Sequence, residues 1–322
     1  FKRMVMELPK VGIVQGHGER SFYGGKDRDY SMFANEKSFR YALMNQGFDV
    51  EEVHLDKQVP EHINIMMISD MREWLTSEEE ANLQQYIDRG GNLFILGEPK
   101  RRDVMNQLFA KFGYEMTTGV LVKRDTNLQA DVILSYPTEE ADTIAYDFNM
   151  MRRRNMVITT PTTAGLEQIE DKGYVVTNMF RTDTIGVWNE LETTDFIDDT
   201  VRLNPSIGEV EKIYNTVVAL SRKVGNKEQK IILTGDADCI SNGEFGRRVP
   251  HARTNNFSLI TGGFFWFSDN EVPIDVRRPA LPDDKVYVSQ SGTKMIKWSF
   301  MLLIPLILAG GGVFIWIRRK GR

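Results

Sequence analysis

Residues 74–97 read WLTSEEEANLQQYIDRGGNLFILG, a helix signal followed at once by a strand signal. Thr76, followed three residues later by Glu79, predicts a capping box at the start of a helix. Gly90 and Gly91 end that helix, and the apolar run NLFILG after them is typical of a buried strand. One helix therefore leads directly into one strand, which is the repeating unit of an α/β sheet.

The segments around this stretch repeat the alternation of strand and helix. The predicted elements are strands at 11–16, 48–55 and 63–69 and helices at 29–48 and 103–113. The run INIMMIS at 63–69 is continuously apolar, which is typical of a central strand buried on both faces. Because such alternation implies βαβ crossovers, residues 1–115 are predicted to form an α/β half with a mostly parallel, doubly wound sheet.

The middle of the chain has a different pattern. Residues 116–210 contain short strand-like runs with Thr, Gly and Pro between them, and they predict a β-rich insertion or subdomain. Irregular structure is expected around 136–155 and 192–208. Residues 211–270 return to α/β character and are predicted to complete the sheet. They contain two strand runs joined by Gly225-Asn226, a hairpin signal, and a helix predicted at 255–268.

The C-terminal region predicts a membrane anchor. Residues 298–317, WSFMLLIPLILAGGGVFIWI, carry no charge, and about twenty helical residues span the roughly 30 Å hydrocarbon core of a bilayer. A linker is predicted at 271–297 and a cytoplasmic basic tail at 318–322. By the positive-inside rule, the tail lies in the cytoplasm and the globular domain lies in the periplasm, outside the cytoplasmic (inner) membrane.

Composition excludes some classes of function. The net charge is −5 and the pI is about 5.6, and a mildly acidic chain without long basic runs is not expected to bind nucleic acid. The single cysteine, Cys239, leaves no partner for an internal disulfide. Residues 1–9 are too short for a signal peptide, so we expect the natural chain to extend upstream of Phe1.

The first stretch that could carry chemistry is GHGER at 16–20, directly after the first predicted strand. In an open parallel sheet, ligands bind at the carboxyl ends of the strands. His17 and Glu19 would supply an imidazole and a carboxylate there. The stretch departs from the dinucleotide fingerprint at Ser21, so we do not predict a dinucleotide site. A tight turn with local hydrogen bonds is an equally strong interpretation.

The second stretch is GDADCISNGEF at 235–245, after the run IILT. Its oxygen-bearing side chains, which suit a hard cation, are Asp236, Asp238, Asn242 and Glu244. The spacing does not match an EF-hand loop, and turn formation and helix capping by Asp and Asn are the favoured interpretation. No metal site is predicted. If the two stretches lie on neighbouring strands, His17, Glu19, Asp236, Asp238 and Asn242 are predicted to form a ligand or partner surface.

Other motifs are absent from the sequence. There is no G-x-x-x-x-G-K-[ST] stretch, so the chain is not the motor of an NTPase. The four histidines show no metal-ligand spacing. Cys239 lacks the flanking glycines of a nucleophile elbow, and neighbouring carboxylates would raise the pKa of its thiol. We therefore predict no catalytic residue and no cofactor.

Several stretches, in this order, resemble a known family. They are VGIVQGHGE, LTSEEEANLQQYIDRGGNLFILGEP, VVALSRKVGNKEQKIILTGDADCISN and the closing apolar helix. The chain resembles the gliding-motility-associated (GldG-like) auxiliary components of ABC transport systems. The resemblance implies an extracytoplasmic domain beside, or fused to, an ABC-type permease that has a separate ATPase subunit. It also implies an α/β part similar to glutamine-amidotransferase-like or flavodoxin-like folds, without the nucleophile of those amidotransferases.

Three functions are compatible with these features. The leading hypothesis is a non-enzymatic auxiliary or binding component of a membrane transporter, because a tether keeps even a weak contact formed. The second is a membrane-anchored, amidotransferase-like hydrolase, which would need Cys239 and His17 within hydrogen-bond reach. The third is a purely structural adaptor whose β-rich middle forms a protein interface.

Overall fold

The computed structural model of the chain describes residues 8–124, 128–197, 200–273 and 288–321. Within these ranges, 8–273 belong to one compact unit and 288–321 to a second. About half of the predicted linker 271–297 lies outside the described residues, because 274–287 are not among them. The start of the chain, residues 1–7, and the last residue of the basic tail also lie outside them.

The larger unit is built on a broad sheet. The strands of the described residues are β1 Lys10–Val14, β2 Asp49–Val53, β3 Ile63–Ser69, β4 Asn92–Leu96, β5 Tyr114–Met116, β6 Val120–Lys123, β7 Val132–Pro137, β8 Met156–Pro161, β9 Leu166–Gln168, β10 Val175–Arg181, β11 Val187–Glu190, β12 Asn215–Val224, β13 Lys227–Thr234 and β14 Arg253–Thr254. Ten of them pair in the order β14-β8-β7-β10-β12-β13-β4-β3-β1-β2. Strands β5 and β9 branch from β12, and β6 pairs with β11 in a separate two-stranded sheet.

The two halves of the broad sheet differ in strand direction. Strands β2, β1, β3, β4 and β13 run parallel, as predicted for the α/β half. From β13 onward, the ladders to β12, β10, β7 and β8 are antiparallel. The sheet is therefore mixed, and the prediction of a mostly parallel sheet is correct only for its first half.

The change of direction follows from the hairpin that the sequence predicted. The turn at Gly225-Asn226 joins β12 to β13, with Val224 opposite Lys227. Gly225 adopts φ +60°, which glycine reaches without the steric cost that other residues meet. Because a two-residue turn reverses the chain, β12 has to run against β13, and the strands beyond β12 continue the antiparallel order.

Helices cover both faces of the sheet. The helices of the larger unit are α1 Ser31–Ala34, α2 Leu43–Gln46, α3 Ser77–Asp88, α4 Arg102–Ala110, α5 Tyr146–Arg153, α6 Asn242–Gly246 and α7 Phe257–Phe267. One buried core joins the sheet to α1, α2, α5 and α7, and it includes Phe33, Phe94, Phe148 and Phe264. The other joins the opposite face to α3 and α4.

Two local predictions are wrong. The helix predicted at 29–48 is interrupted between α1 and α2, where Asn45 donates to the carbonyls of Glu36, Lys37 and Phe39. The break places the ring of Phe39 against Phe257, with centroids 4.4 Å apart. Irregular structure was expected around 136–155, but α5 and a 3-10 turn occupy most of it.

The other predicted elements agree with the structure more closely. Thr76 and Glu79 form the predicted capping box at the start of α3. The predicted strand 63–69 is β3, and the predicted helix 255–268 is α7. The predicted boundaries at 115 and 210 stay predictions, although β7, β8 and β10 of the middle segment extend the broad sheet rather than forming a sheet of their own.

The second unit contains one long apolar helix. It comprises α8 Gln290–Trp298, a π-helical turn Ser299–Leu303 and α9 Ile304–Lys320. Pro305, just beyond the π turn, has no N–H to continue the α-helical pattern. Among the described residues, the 30-residue stretch Ser291–Lys320 is the one helix long and apolar enough to cross a bilayer. It includes the predicted span 298–317 and begins earlier, within the predicted linker.

Candidate functional site

Charged side chains converge at the carboxyl edge of the parallel strands. Arg20 follows β1, Asp70 follows β3, Glu98 follows β4, and Asp236 and Asp238 follow β13. These strands are neighbours in the sheet and run in one direction, so the segments after them meet at one edge. We call Arg20, Arg28, Asp70, Glu98, Asp236 and Asp238 the carboxyl-edge network.

Arg20 is the centre of this network. Its side chain is 2% exposed. Its Nε lies 3.3 Å from Asp70 Oδ2 and its Nη2 lies 3.1 Å from Glu98 Oε2. Its Nη1 donates to Asp238 Oδ1. One buried guanidinium thus binds carboxylates from three different strand ends, in the planar donor geometry that distinguishes arginine from lysine.

Asp70 reaches Arg20 through an unusual backbone conformation. Its φ is +48°, a left-handed conformation that Asp adopts more readily than most non-glycine residues. Its N–H donates to the carbonyl of Leu96, the last residue of β4. The strained residue is therefore held by its neighbouring strand.

Arg28 binds the same carboxylates from the solvent side. Its Nη2 lies 2.7 Å from Glu98 Oε2 and 3.7 Å from Asp70 Oδ2, and its Nε lies 3.3 Å from Asp238 Oδ1. Unlike Arg20, the Arg28 side chain is 54% exposed. Three carboxylates are therefore shared between a buried guanidinium and an exposed one.

The acidic members of the network titrate differently. Burial, together with Asp70 and Asp238, raises the pKa of Glu98. Burial alone would raise the pKa of Asp238 as well, but Arg20 and Arg28 outweigh it and lower that pKa. The shared guanidiniums therefore stabilise the ionised form of Asp238 most strongly.

Asp236 is the least satisfied carboxyl of the group. It is buried, and its Oδ1 accepts a hydrogen bond of 2.6 Å from the N–H of Asp238. Its Oδ2 has no hydrogen-bond partner among the described residues. Burial, followed by Asp238 and Glu98, raises the pKa of Asp236 well above its usual value. Within the described part of the chain, Asp236 is therefore a buried polar group with one oxygen unpaired.

His17 and Glu19 lie in a second cluster beside the network. The ring of His17 is buried, with Nδ1 3.3 Å from Glu19 Oε1 and Nε2 3.0 Å from Glu79 Oε1. Glu79 also accepts bonds from the N–H and hydroxyl of Thr76 at the start of α3. Burial opposes ionisation of Glu79, but Thr76 and His17 outweigh it and lower its pKa. The cluster thus joins the GHGER turn to a helix start.

The predicted surface is only partly assembled. Asp236 and Asp238 belong to the network, which touches the GHGER turn through Arg20, whereas the ring of His17 lies between Glu19 and Glu79. Their assignment as ligand-binding residues stays a prediction.

Asn242 uses its side chain within the protein. Its amide nitrogen donates to the carbonyls of Gly24 and Lys26, and its oxygen accepts from the N–H of Met32. It therefore positions the loop that carries Arg28. Glu244 binds Thr159 and Arg247 instead, so neither residue is free to coordinate a cation in the GDAD stretch.

Cys239 is fully buried below this edge. Its Sγ lies 3.3 Å from the carbonyl oxygen of Asp236. Burial, and then the charge of Asp236, raises the pKa of the thiol well above its usual value. The thiol is therefore neutral at physiological pH, which opposes nucleophilic reactivity.

Among the described residues, Glu190, Glu192 and Glu209 form a group whose carboxylates lie within 4.8 Å of one another, as a metal would need. Backbone N–H groups account for much of it: Leu191 and Asn204 donate to Glu209. Grouped carboxylates of this kind do not by themselves indicate a metal site.

Sequence reasoning missed the central residue of the site. GHGER and GDAD were both singled out, but Arg20 was not given a role, and Arg28, Asp70 and Glu98 were not considered. A signal existed for two of them, because Asp70 and Glu98 directly follow the buried runs INIMMIS and NLFILG. A charged residue just past a buried parallel strand lies at the ligand-binding edge.

Residues 8–170, just over half of the chain, match the ABC-transporter auxiliary family, described as an ABC-type uncharacterized transport system. The chain belongs to this family. The matched segment of this ABC-transporter auxiliary protein includes most of the parallel half of the sheet and four members of the network. No curated protein matches the chain.

The chain is similar to several solved structures at low sequence identity. The N-terminal domain of mmIFT52 is 13% identical, covers 81% of this chain and 98% of its own, and has a TM-score of 0.54. A cytoplasmic protein from Salmonella typhimurium is 11% identical over 80% of this chain and 97% of its own, with a TM-score of 0.44. A ThuA-like protein from Parabacteroides merdae is 8% identical over 79% and 99%, with a TM-score of 0.36. Only the first is similar enough to support a shared fold, and it supports nothing more.

Proposed function

We propose that this ABC-transporter auxiliary protein is a non-enzymatic binding component whose carboxyl edge receives a ligand or a partner. The observation that carries the proposal is the carboxyl-edge network, where four parallel strands deliver charged side chains to one place. Burying so much charge is costly unless each group is paired. An oxygen of Asp236 that has no partner among the described residues is the kind of group that a bound molecule satisfies.

We further propose the finer placement that the sequence predicts. The larger unit lies in the periplasm, the C-terminal helix crosses the cytoplasmic membrane, and the basic tail is cytoplasmic. The family and the 30-residue apolar helix support this arrangement. The partners are an ABC-type permease and its separate ATPase subunit, in a system related to gliding motility.

The order of the parallel strands supports the finer prediction of fold. Strands β2-β1-β3-β4-β13 follow the 2-1-3-4-5 order of flavodoxin-like sheets, with helices on both faces. We propose that this half is a doubly wound unit and that its carboxyl edge binds the ligand, as in other open α/β sheets.

A structural adaptor is the second candidate. Around β11, the chain exposes several aliphatic side chains, with Ile185 73% and Val210 49% exposed. Exposed apolar groups near one another are typical of protein interfaces. The hydrolase alternative has less support, because the Cys239 thiol is buried and its pKa is raised.

One experiment separates the two candidates. The full chain is expressed with its permease, and retention of the complex in detergent is compared for Asp238→Asn, Ile185→Asp and Arg248→Ala. Arg248 is exposed and makes no ion pair with another described residue, so it is the control. Loss with Asp238→Asn alone supports a carboxyl-edge partner. Loss with Ile185→Asp alone supports the adaptor, and contradicts a partner at the carboxyl edge.

A further inference from the structure

We propose that the C-terminal end of the apolar helix binds anionic phospholipid headgroups through Arg318, Arg319 and Lys320. We call these three residues the tail cations. The inference rests on the proposed crossing of the membrane by this helix, and it does not depend on what the carboxyl edge binds. It adds a lipid of stated charge to the partners of the chain.

The second unit carries positive charge and no negative charge. Between residues 288 and 321 the sequence contains five Lys or Arg residues and no Asp or Glu. Three of the five are the tail cations, which are exposed in the last turn of α9. Since no carboxylate of this unit can neutralise them, their counterions have to come from outside it.

Trp316 places the tail cations at the depth of lipid headgroups. Tryptophan is enriched at both membrane–water interfaces, and Trp298 and Trp316 lie near the two ends of the apolar helix. The helical rise between them is about 27 Å, close to the roughly 30 Å hydrocarbon core. The tail cations follow about 3–6 Å beyond Trp316, in the layer that the headgroups of one leaflet occupy.

The side chain of Lys320 turns back toward the apolar part of the helix. Its Nζ lies 5.0 Å from the centre of the Trp316 ring, which is a cation–π contact. Because Trp316 lies one helical turn nearer the span, the ammonium stays beside the interfacial indole. Lys320 therefore presents its charge to the headgroup layer rather than to the water beyond it.

The tail cations are spread around the helix rather than gathered on one side. Consecutive residues of an α-helix point about 100° apart, so these three side chains leave the axis in three directions. A free phosphate or an acidic segment of a protein meets one side of the helix. Lipid headgroups surround it, so phosphates held in a membrane fit the arrangement better than either.

The test is energy transfer from Trp316 to pyrene-labelled lipids, in vesicles that contain the purified full chain and no other protein. The parent protein carries Trp298→Phe, which leaves Trp316 as the one tryptophan of the predicted span. Pyrene-labelled phosphatidylglycerol is the anionic probe, and pyrene-labelled phosphatidylcholine is the zwitterionic probe. Each is a minor component of phosphatidylcholine vesicles.

Two variants of equal charge are compared with this parent. The tail variant replaces all three tail cations by Gln. The control variant carries Lys57→Gln, Lys223→Gln and Arg248→Gln, which remove three exposed positive charges from the larger unit instead. Circular dichroism checks that both variants keep their helical content.

We expect the parent and the control variant to prefer the anionic probe by at least about fivefold, the effect of one basic residue near an anionic surface. The tail variant should prefer it by less than about twofold. The preference of the parent should also disappear in about 1 M salt, where the screening length is about 3 Å. The salt result needs no variant.

Equal transfer from the parent to the two probes, or a preference that the tail variant keeps, overturns the inference. Loss of the preference on adding glycerol 3-phosphate at constant ionic strength shows that a free phosphate binds, and it overturns the assignment to lipid. Transfer to neither probe contradicts the membrane crossing itself, so failure of that proposal is distinguished from failure of this one.

Discussion

Replacing Arg20 by methionine should destabilise the larger unit severely. The substitution keeps much of the buried volume but removes the guanidinium that binds Asp70, Glu98 and Asp238. Asp70 and Glu98 are each 3% exposed, so their charges cannot be hydrated in place. Breaking a buried ion pair by removing one partner costs about 3–5 kcal/mol. For a domain of this size, we expect the melting temperature to fall by about 6–20 °C.

The loss of stability caused by Arg20→Met should depend on pH in a defined direction. Arg20 lowers the pKa of Asp238 and opposes the burial that raises the pKa of Glu98, so both folded-state pKa values should rise when Arg20 is removed. A carboxyl with a raised folded pKa favours folding while it is protonated, and that contribution is lost as the pH rises through the folded pKa. The difference between wild type and Arg20→Met should therefore be larger at pH 8 than at pH 5.

The assay is thermal unfolding of the full chain in detergent, followed by tryptophan fluorescence at both pH values. Arg248→Met is the control, because Arg248 is exposed and should stay within about 0.5 kcal/mol of wild type. A melting temperature of Arg20→Met within about 2 °C of wild type would refute the account of the network. A loss that is the same at both pH values would refute its electrostatic origin.

Three further predictions follow from the GDADCISNGEF stretch at 235–245. Asp236→Asn should gain stability relative to wild type as the pH rises above about 4, because the raised pKa of Asp236 makes its ionisation oppose folding. Unfolding midpoints of both proteins from pH 4 to 8 measure this, and a difference between them that does not change with pH would contradict it. Gly235→Ala should lower the free energy of unfolding by about 1–3 kcal/mol, because the added methyl would collide with the carbonyl oxygen of Ala164. Gly246→Ala is the control, since its methyl would meet open space, and equal melting temperatures for the two variants would contradict the prediction. Cys239 should react with iodoacetamide only on unfolding, and rapid alkylation of the folded chain at pH 7 would show an accessible thiolate.

Local sequence signals predicted the parallel half of the fold. The strand directions of the other half were not predicted, because they depend on pairing between segments far apart in the chain. The capping box at Thr76 and the continuous run of β3 are each contained in a few adjacent residues, so the sequence displays them directly. The direction of β7, β8 and β10 depends on partners far along the chain, and their short strand-like runs do not reveal it. The sheet was therefore expected to be more parallel than it is.

From the sequence, the candidate site could be predicted as two turns, but not as the set of side chains that meet there. GHGER and GDAD follow apolar strands, and the structure brings Arg20 of the first turn against Asp238 of the second. Which residues meet depends on side-chain direction. The ring of His17 turns toward Glu79 at the start of α3 rather than toward the network, and adjacent positions in a turn do not disclose such a choice.

We propose that this chain works as a membrane-anchored auxiliary component of an ABC-type transport system. The most direct measurement is affinity purification of the full chain from native membranes in mild detergent, followed by mass spectrometry. The account predicts that an ABC-type permease and its separate ATPase subunit are recovered in fixed ratio to the chain, and that a version cut before residue 288 loses them on washing. Recovery of the chain from membranes with neither subunit, at the same yield as an unrelated anchored protein, would contradict it.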